Sequence, residues 1–92
     1  MRADDLILFS QVFELGSFSK VAEQNNLTNS VVSKRIARLE EQAGVQLLYR
    51  TTRKLTLTEA GRALLQGAKN VKQATQEAAD SVSGFGERVT GH

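Results

Sequence analysis

Between Leu27 and Gln42 the chain reads LTNSVVSKRIARLEEQ, and the first twelve of these residues hold Lys34, Arg35 and Arg38 with Thr28, Asn29, Ser30 and Ser33 but no acid. Ammonium and guanidinium groups pair with phosphate oxygens, and short hydroxyl and amide side chains can read donors and acceptors on base edges. A second basic group follows at Arg50, Arg53 and Lys54, and no acid occurs between Gln42 and Thr58. Other chemistry has little to work with. The chain has no cysteine and a single histidine at its last position, His92, so neither a thiolate metal site nor a two-histidine site is expected. The only clustered carboxylates are two adjacent pairs, Asp4 with Asp5 and Glu40 with Glu41, so an enzyme site is not expected either.

The charge of +2 over 92 residues hides how unevenly it is spread. Residues 28–54 carry six bases against two acids, residues 1–27 two against four, and residues 55–92 four of each. A surplus confined to the middle third draws a polyanion far better than the total suggests, and nucleic acid is the usual one. On charge alone a merely solvated basic face competes with that reading. No apolar run approaches the roughly 20 residues of a membrane helix, and Asp4 and Asp5 stand where a signal peptide would be cationic. A soluble cytoplasmic domain without cofactor is expected.

The elements that must position these side chains follow from periodicity and caps. Leu6, Phe9 and Phe13, with Val12 alongside, give a core stripe for a helix over about 3–15, which Gly16 ends. Ser17 caps a short helix over about 18–25, whose Phe18, Val21 and Ala22 face the core, and Asn25 and Asn26 turn the chain. Thr28 caps a third helix running to about residue 43, with Leu27 as a hydrophobic staple and Gly44 as its stop. In it Val32, Ile36, Leu39 and Ala43 form the buried stripe. Ser30, Lys34, Ala37 and Glu41 then lie opposite, with Ser33 and Arg38 on the flanks.

Two β-prone runs, 47–50 and 55–57, flank a basic tip at Thr51, Thr52, Arg53 and Lys54, which predicts a hairpin or wing. From Thr58 the pattern is one long helix. Leu64, Ala68, Val71, Thr75, Ala78 and Val82 repeat at heptad spacing, a seam suited to a second copy of the chain because the small domain could cover only its first two turns. Beyond Gly84 and Gly86 periodicity is lost, so 84–92 is expected to be a flexible tail after a domain at 1–57 and a linker helix at 58–83.

The run of G-S-F-S at 16–19, V-A-E-Q at 21–24, L-T-N-S-V-V-S-K-R-I-A-R-L-E at 27–40, G-V-Q-L-L-Y-R at 44–50 and L-T-L-T-E-A-G at 55–61 resembles the N-terminal DNA-binding domain of LysR-type transcriptional regulators, over about residues 3–83. The resemblance implies a mainly α fold, a winged helix-turn-helix of three helices and a two-stranded wing followed by a linker helix. It implies double-stranded DNA as partner, with the third helix in the major groove, the wing at the adjacent minor groove, and homodimers joined through the linker helix on a two-fold site. By matching position it assigns base edges to Thr28, Asn29, Ser30 and Val31, bases and phosphates to Ser33, Lys34, Arg35 and Arg38, and wing contacts to Arg50, Arg53 and Lys54. Relatives commonly carry glutamine followed by proline or a small residue where this chain has Asn29 and Ser30, so their base preferences do not transfer, although Asn29 retains the groups to pair with adenine. Val21 for alanine and Leu48 for phenylalanine alter core packing. The family's effector-binding domain is expected to be absent from this chain.

A winged helix that only docks a protein is the main rival, but such a face would not need an acid-free helix end beside a basic wing. Single-stranded nucleic acid or RNA would favour exposed aromatics, whereas Phe9, Phe13 and Phe18 are expected on core faces.

Overall fold

The computed structural model describes the backbone of residues 1–50 and 55–90 and the side chains of the same residues up to 85. The element order is α1 (Ala3–Leu15), α2 (Phe18–Gln24), α3 (Asn29–Ala43), β1 (Leu48–Arg50), β2 (Leu55–Leu57) and α4 (Glu59–Thr90). The local signals act as their chemistry requires. Gly16 and Gly44 end α1 and α3 at φ 66° and 72°, left-handed positions where a side chain would be strained. Ser17 and Thr28 cap α2 and α3, their hydroxyl oxygens accepting from the backbone N–H of Lys20 and Val31. Between α2 and α3, Asn26 turns the chain at φ 56°, a conformation that asparagine tolerates better than most residues.

β1 and β2 pair antiparallel with Leu48 opposite Leu57 and Arg50 opposite Leu55. The first strand begins at Leu48, one residue later than the sequence pattern suggests.

The core joins Leu8, Phe9 and Val12 of α1, Val21 and Ala22 of α2, Val32, Ile36 and Leu39 of α3, Leu47 and Leu48 before and in the hairpin, and Leu65 of α4. Val21 and Leu48, two departures from the pattern of the family that the sequence resembles, are both fully buried. Burying such aliphatic side chains contributes about 1.5–3 kcal/mol each relative to exposure, and α4 packs lengthwise on α1 to close the core.

Two expectations need correction. Phe13 is 40% exposed rather than a core residue. The buried stripe of α1 runs instead through Asp5, Leu8, Phe9 and Val12, at helical spacing but opening on an acid. Residues 84–90, expected as a tail, continue α4 as helix. Extending a formed helix adds a hydrogen bond for each residue fixed, so Gly84 and Gly86 weaken that end by about 1 kcal/mol each without forcing a stop.

Candidate nucleic-acid interface

The stripe of Val32, Ile36 and Leu39 fixes how α3 is rotated, because all three are fully buried. Its opposite face is therefore outside. Thr28, Asn29, Ser30, Val31 and Lys34 are exposed and Ser33 is half-buried, so the predicted base-reading residues share one accessible helix end. That end is ordered by side chains as well as by backbone. Thr28 Oγ1 lies 3.2 Å from Ser30 Oγ while capping Val31, and Asn29 Nδ2 donates to Ser19 Oγ of α2 at 2.9 Å. Asparagine carries two amide hydrogens and a carbonyl oxygen, so a donor and an acceptor remain for a ligand.

Arg35 and Arg38 are arranged differently from Lys34. Arg35 Nε donates to Asp5 Oδ1 at 2.7 Å, and Arg38 Nη2 donates to Asp5 Oδ2 at 2.8 Å. The Asp5 side chain is wholly buried while those of Arg35 and Arg38 keep 25% and 46% of their surface. Burial alone would push the Asp5 carboxyl up, but hydrogen bonds from both guanidiniums, with their charge, outweigh it and hold the group below its ordinary value of 3.8. Asp5 is thus an ionised carboxylate in the core, clamping two cations of the α3 face from α1.

A second carboxylate does the same for the hairpin. Glu40 Oε2 accepts from the backbone N–H groups of Leu47 and Leu48, at 2.8 and 3.3 Å, and its Oε1 accepts from Arg50 Nη2 at 2.9 Å. The Arg50 guanidinium also stands 6.0 Å from the centre of the Phe18 ring, within cation–π range. Helix α3, the first strand and α2 are thereby fastened together through one arginine. Arg53 and Lys54, the predicted wing-tip bases, lie outside the described residues.

Sequence reasoning missed Asp5, Glu40 and Ser19 as supports. Asp5 carried a usable signal, standing three residues before Leu8 on the face that α1 buries, whereas nothing in the spacing of Glu40 or Ser19 marks their partners.

The α4 seam divides in two. Leu64 is half-buried against the core and Ala68 is fully buried within its own chain, so Ala68 has no surface to give a second copy and leaves the predicted dimer seam. The cause is α1, along which α4 runs, with Lys72 reaching Glu14 at 3.8 Å. Val71 is half-buried, and Thr75, Ala78 and Val82 are exposed. Among the described residues no three His, Cys, Asp or Glu gather as a metal site, and no helix is long and apolar enough to cross a membrane.

Residues 3–62 match the family model described as bacterial regulatory helix-turn-helix protein, lysR family. The chain is 49% identical over 77 residues, 84% of its length, to the probable HTH-type transcriptional regulator LtrA of Klebsiella pneumoniae, of which it covers 25%. The chain spans about a quarter of the length of LtrA and of the similarly related regulator CrgA of Neisseria meningitidis. Its fold is similar to the BenM DBD/catB site 1 DNA complex, with a TM-score of 0.76, 30% identity and all of both chains covered. The CbnR DBD–DNA complex gives a TM-score of 0.80 at 27% identity, over 94% of this chain and 99% of that one. The fold is accordingly a winged helix-turn-helix followed by a long helix. With the family match covering more than half its residues, the chain belongs to the lysR family of bacterial regulatory helix-turn-helix proteins.

Proposed function

We propose that the chain is a sequence-specific reader of double-stranded DNA in transcriptional control, working in the bacterial cytoplasm as a homodimer on a palindromic site. The N-terminal half of α3 enters the major groove, with Asn29, Ser30, Val31 and Ser33 toward bases and Lys34 toward phosphate. The hairpin, through Arg50 and the tip bases Arg53 and Lys54, lies at the neighbouring minor groove. Two copies join along the outer part of α4, from Val71 to Val82.

The observation that carries this reading is the exposed, acid-free end of α3, whose side chains are held by Thr28 and Ser19 rather than left to wander. Pre-ordered donors lose less freedom on binding, which favours recognition over simple charge attraction. The likeness to domains solved on DNA supports the same reading. No reaction is assigned to the chain, and its partners are DNA and a second copy of itself.

Selection of bound sites from random duplex DNA, followed by titration of the winner over a range of salt, tests the proposal. A two-fold symmetric site is expected, bound about a thousandfold or more above random sequence, with a salt slope reporting several phosphate contacts. No enrichment of any site, alongside capture of a protein partner on the same α3 face, would instead make the domain a docking module.

A further inference from the structure

Asp5 belongs to α1, and its carboxylate is wholly buried, so it meets no duplex. Both of its oxygens are nevertheless spent on the α3 face, one on Arg35 and one on Arg38. We propose that Asp5 is a positioning residue for DNA recognition, fixing the direction of Arg35 and Arg38 and offsetting part of their charge so that the face discriminates between sites instead of adhering to any duplex. The inference rests on the DNA-reading function proposed above.

The geometry explains both halves of that role. Arg35 and Arg38 are three residues apart on α3, so they are neighbours of like charge, and unrestrained they would repel and swing outward. Each guanidinium has about five N–H donors in a rigid fork. Asp5 takes one donor from each, and the planar group is then oriented by its bonded edge while the rest of the fork projects from the flank of α3. The exposure left to the two side chains, 25% and 46%, shows that the clamp orients them without hiding them. Lys34 has no such restraint among the described contacts and serves as a plain phosphate cation. One buried carboxylate against two cations leaves a face of reduced charge and fixed shape, which is what a high ratio of specific to non-specific binding needs.

The test compares the wild-type chain with Asp5→Asn, which keeps the side chain's size and one acceptor but removes the charge. Binding to the selected site and to random duplex is titrated from low to high salt. The variant is expected to bind random DNA about five- to tenfold more tightly near 0.1 M salt, with a slope steeper by about one, as for one added phosphate contact. Its preference for the selected site should fall by about tenfold or more. A residue that merely supported the fold would weaken both kinds of binding together and would not steepen the slope. If Asp5→Asn fails to fold, the wild type alone decides, through the motion of the Arg35 Nε–H group measured by NMR in the free protein. It is expected to be as ordered as the backbone, and mobility equal to that of the exposed Arg62 would overturn the proposal. So would a folded Asp5→Asn with unchanged slope and preference. A wild-type chain that prefers no duplex sequence would remove the DNA-reading function and this inference with it, an outcome distinct from a wild type that discriminates alongside a variant that does so equally well.

Discussion

Glu40 on α3 and Arg50 at the end of β1 are joined at 2.9 Å, while the other oxygen of the same carboxylate holds the N–H groups of Leu47 and Leu48. Helix and hairpin therefore meet through one side chain that accepts three hydrogen bonds. Leu47 and Leu48 are themselves buried, so their amides would find little water if the carboxylate were removed.

Glu40→Ala should accordingly destabilise the domain by about 1–3 kcal/mol, the cost of leaving buried donors unpaired. Urea denaturation reads this as a lower midpoint, and amide exchange at Leu47 and Leu48 should accelerate in parallel. An unchanged midpoint would mean that the hairpin is held by its apolar contacts alone.

Asn29→Ala tests the reading end of α3. Loss of a side chain that pairs with one base should cost about 1–3 kcal/mol on the selected site and relax preference at a single position, with little change on random DNA. Ser19→Ala should give a smaller loss of the same kind, because it removes only the bond that orients the Asn29 amide. Equal losses on specific and random DNA would show that Asn29 does not read sequence.

Dimer formation is best probed at Val82, which is 61% exposed and remote from the core. A glutamate there would bring like charges into or beside an apolar contact, and the desolvation cost of an unpaired carboxylate is several kcal/mol. Sedimentation of Val82→Glu should give monomer at micromolar concentration, with affinity for a full site falling toward that for a half site. A variant that stays dimeric would place the subunit contact elsewhere.

Two glycines of α4 should respond in opposite directions. A Cβ on Gly61 would collide with the Leu47 backbone carbonyl, whereas one on Gly67 would meet nothing within 4 Å. Gly61→Ala should cost about 1–3 kcal/mol, at the upper end because the obstacle is backbone, while Gly67→Ala should gain about 0.5–1 kcal/mol from helix propensity. Thermal unfolding of the pair checks both signs at once.

Asp5 predicts how stability depends on pH. Its folded-state pKa lies below the ordinary 3.8, so its contribution is complete above that value and is lost as pH falls through the lower folded one. The stability difference between wild type and Asp5→Asn should thus be constant above about pH 5 and narrow in stronger acid. A difference that widens below pH 4 would mean that the carboxyl is not the clamp described.

The parts of this fold legible in the sequence were those governed by short-range chemistry. Ser17 and Thr28 cap because a hydroxyl three residues before a backbone N–H satisfies it locally, and Gly16 and Gly44 stop their helices for an equally local reason. The α3 stripe, and hence the outward face with Thr28, Asn29, Ser30 and Lys34, followed from periodicity alone. What misled was a polar residue standing in an apolar pattern. Asp5 occupies the first place of the α1 stripe, whereas a stripe drawn through apolar residues alone passes through Phe13. Its partners Arg35 and Arg38 lie some thirty residues onward, and no local rule pairs them. The inner seam was obscured in another way, since a heptad spacing at Leu64 and Ala68 looks the same whether it meets α1 or a second chain.

The inner part of α4 is fastened twice, by its packing on α1 and by Thr58 at its start, so only its outer part stands free of the domain. Thr58 Oγ1 donates to Gln46 O and accepts from Gly61 N, while the Thr58 N–H donates to Leu47 O, so the start of α4 is clamped to the segment that leads into β1. Beyond Lys72, which still reaches Glu14 of α1, the arm to Val82 measures about 15 Å at the rise of an α-helix. A bend of about 10° beyond Lys72 would carry Val82 roughly 3 Å sideways over that length. The start of α4 and the C-terminal half of α3 are thus bonded to the same short segment, Gln46 to Leu48, the one through Thr58 and the other through Glu40.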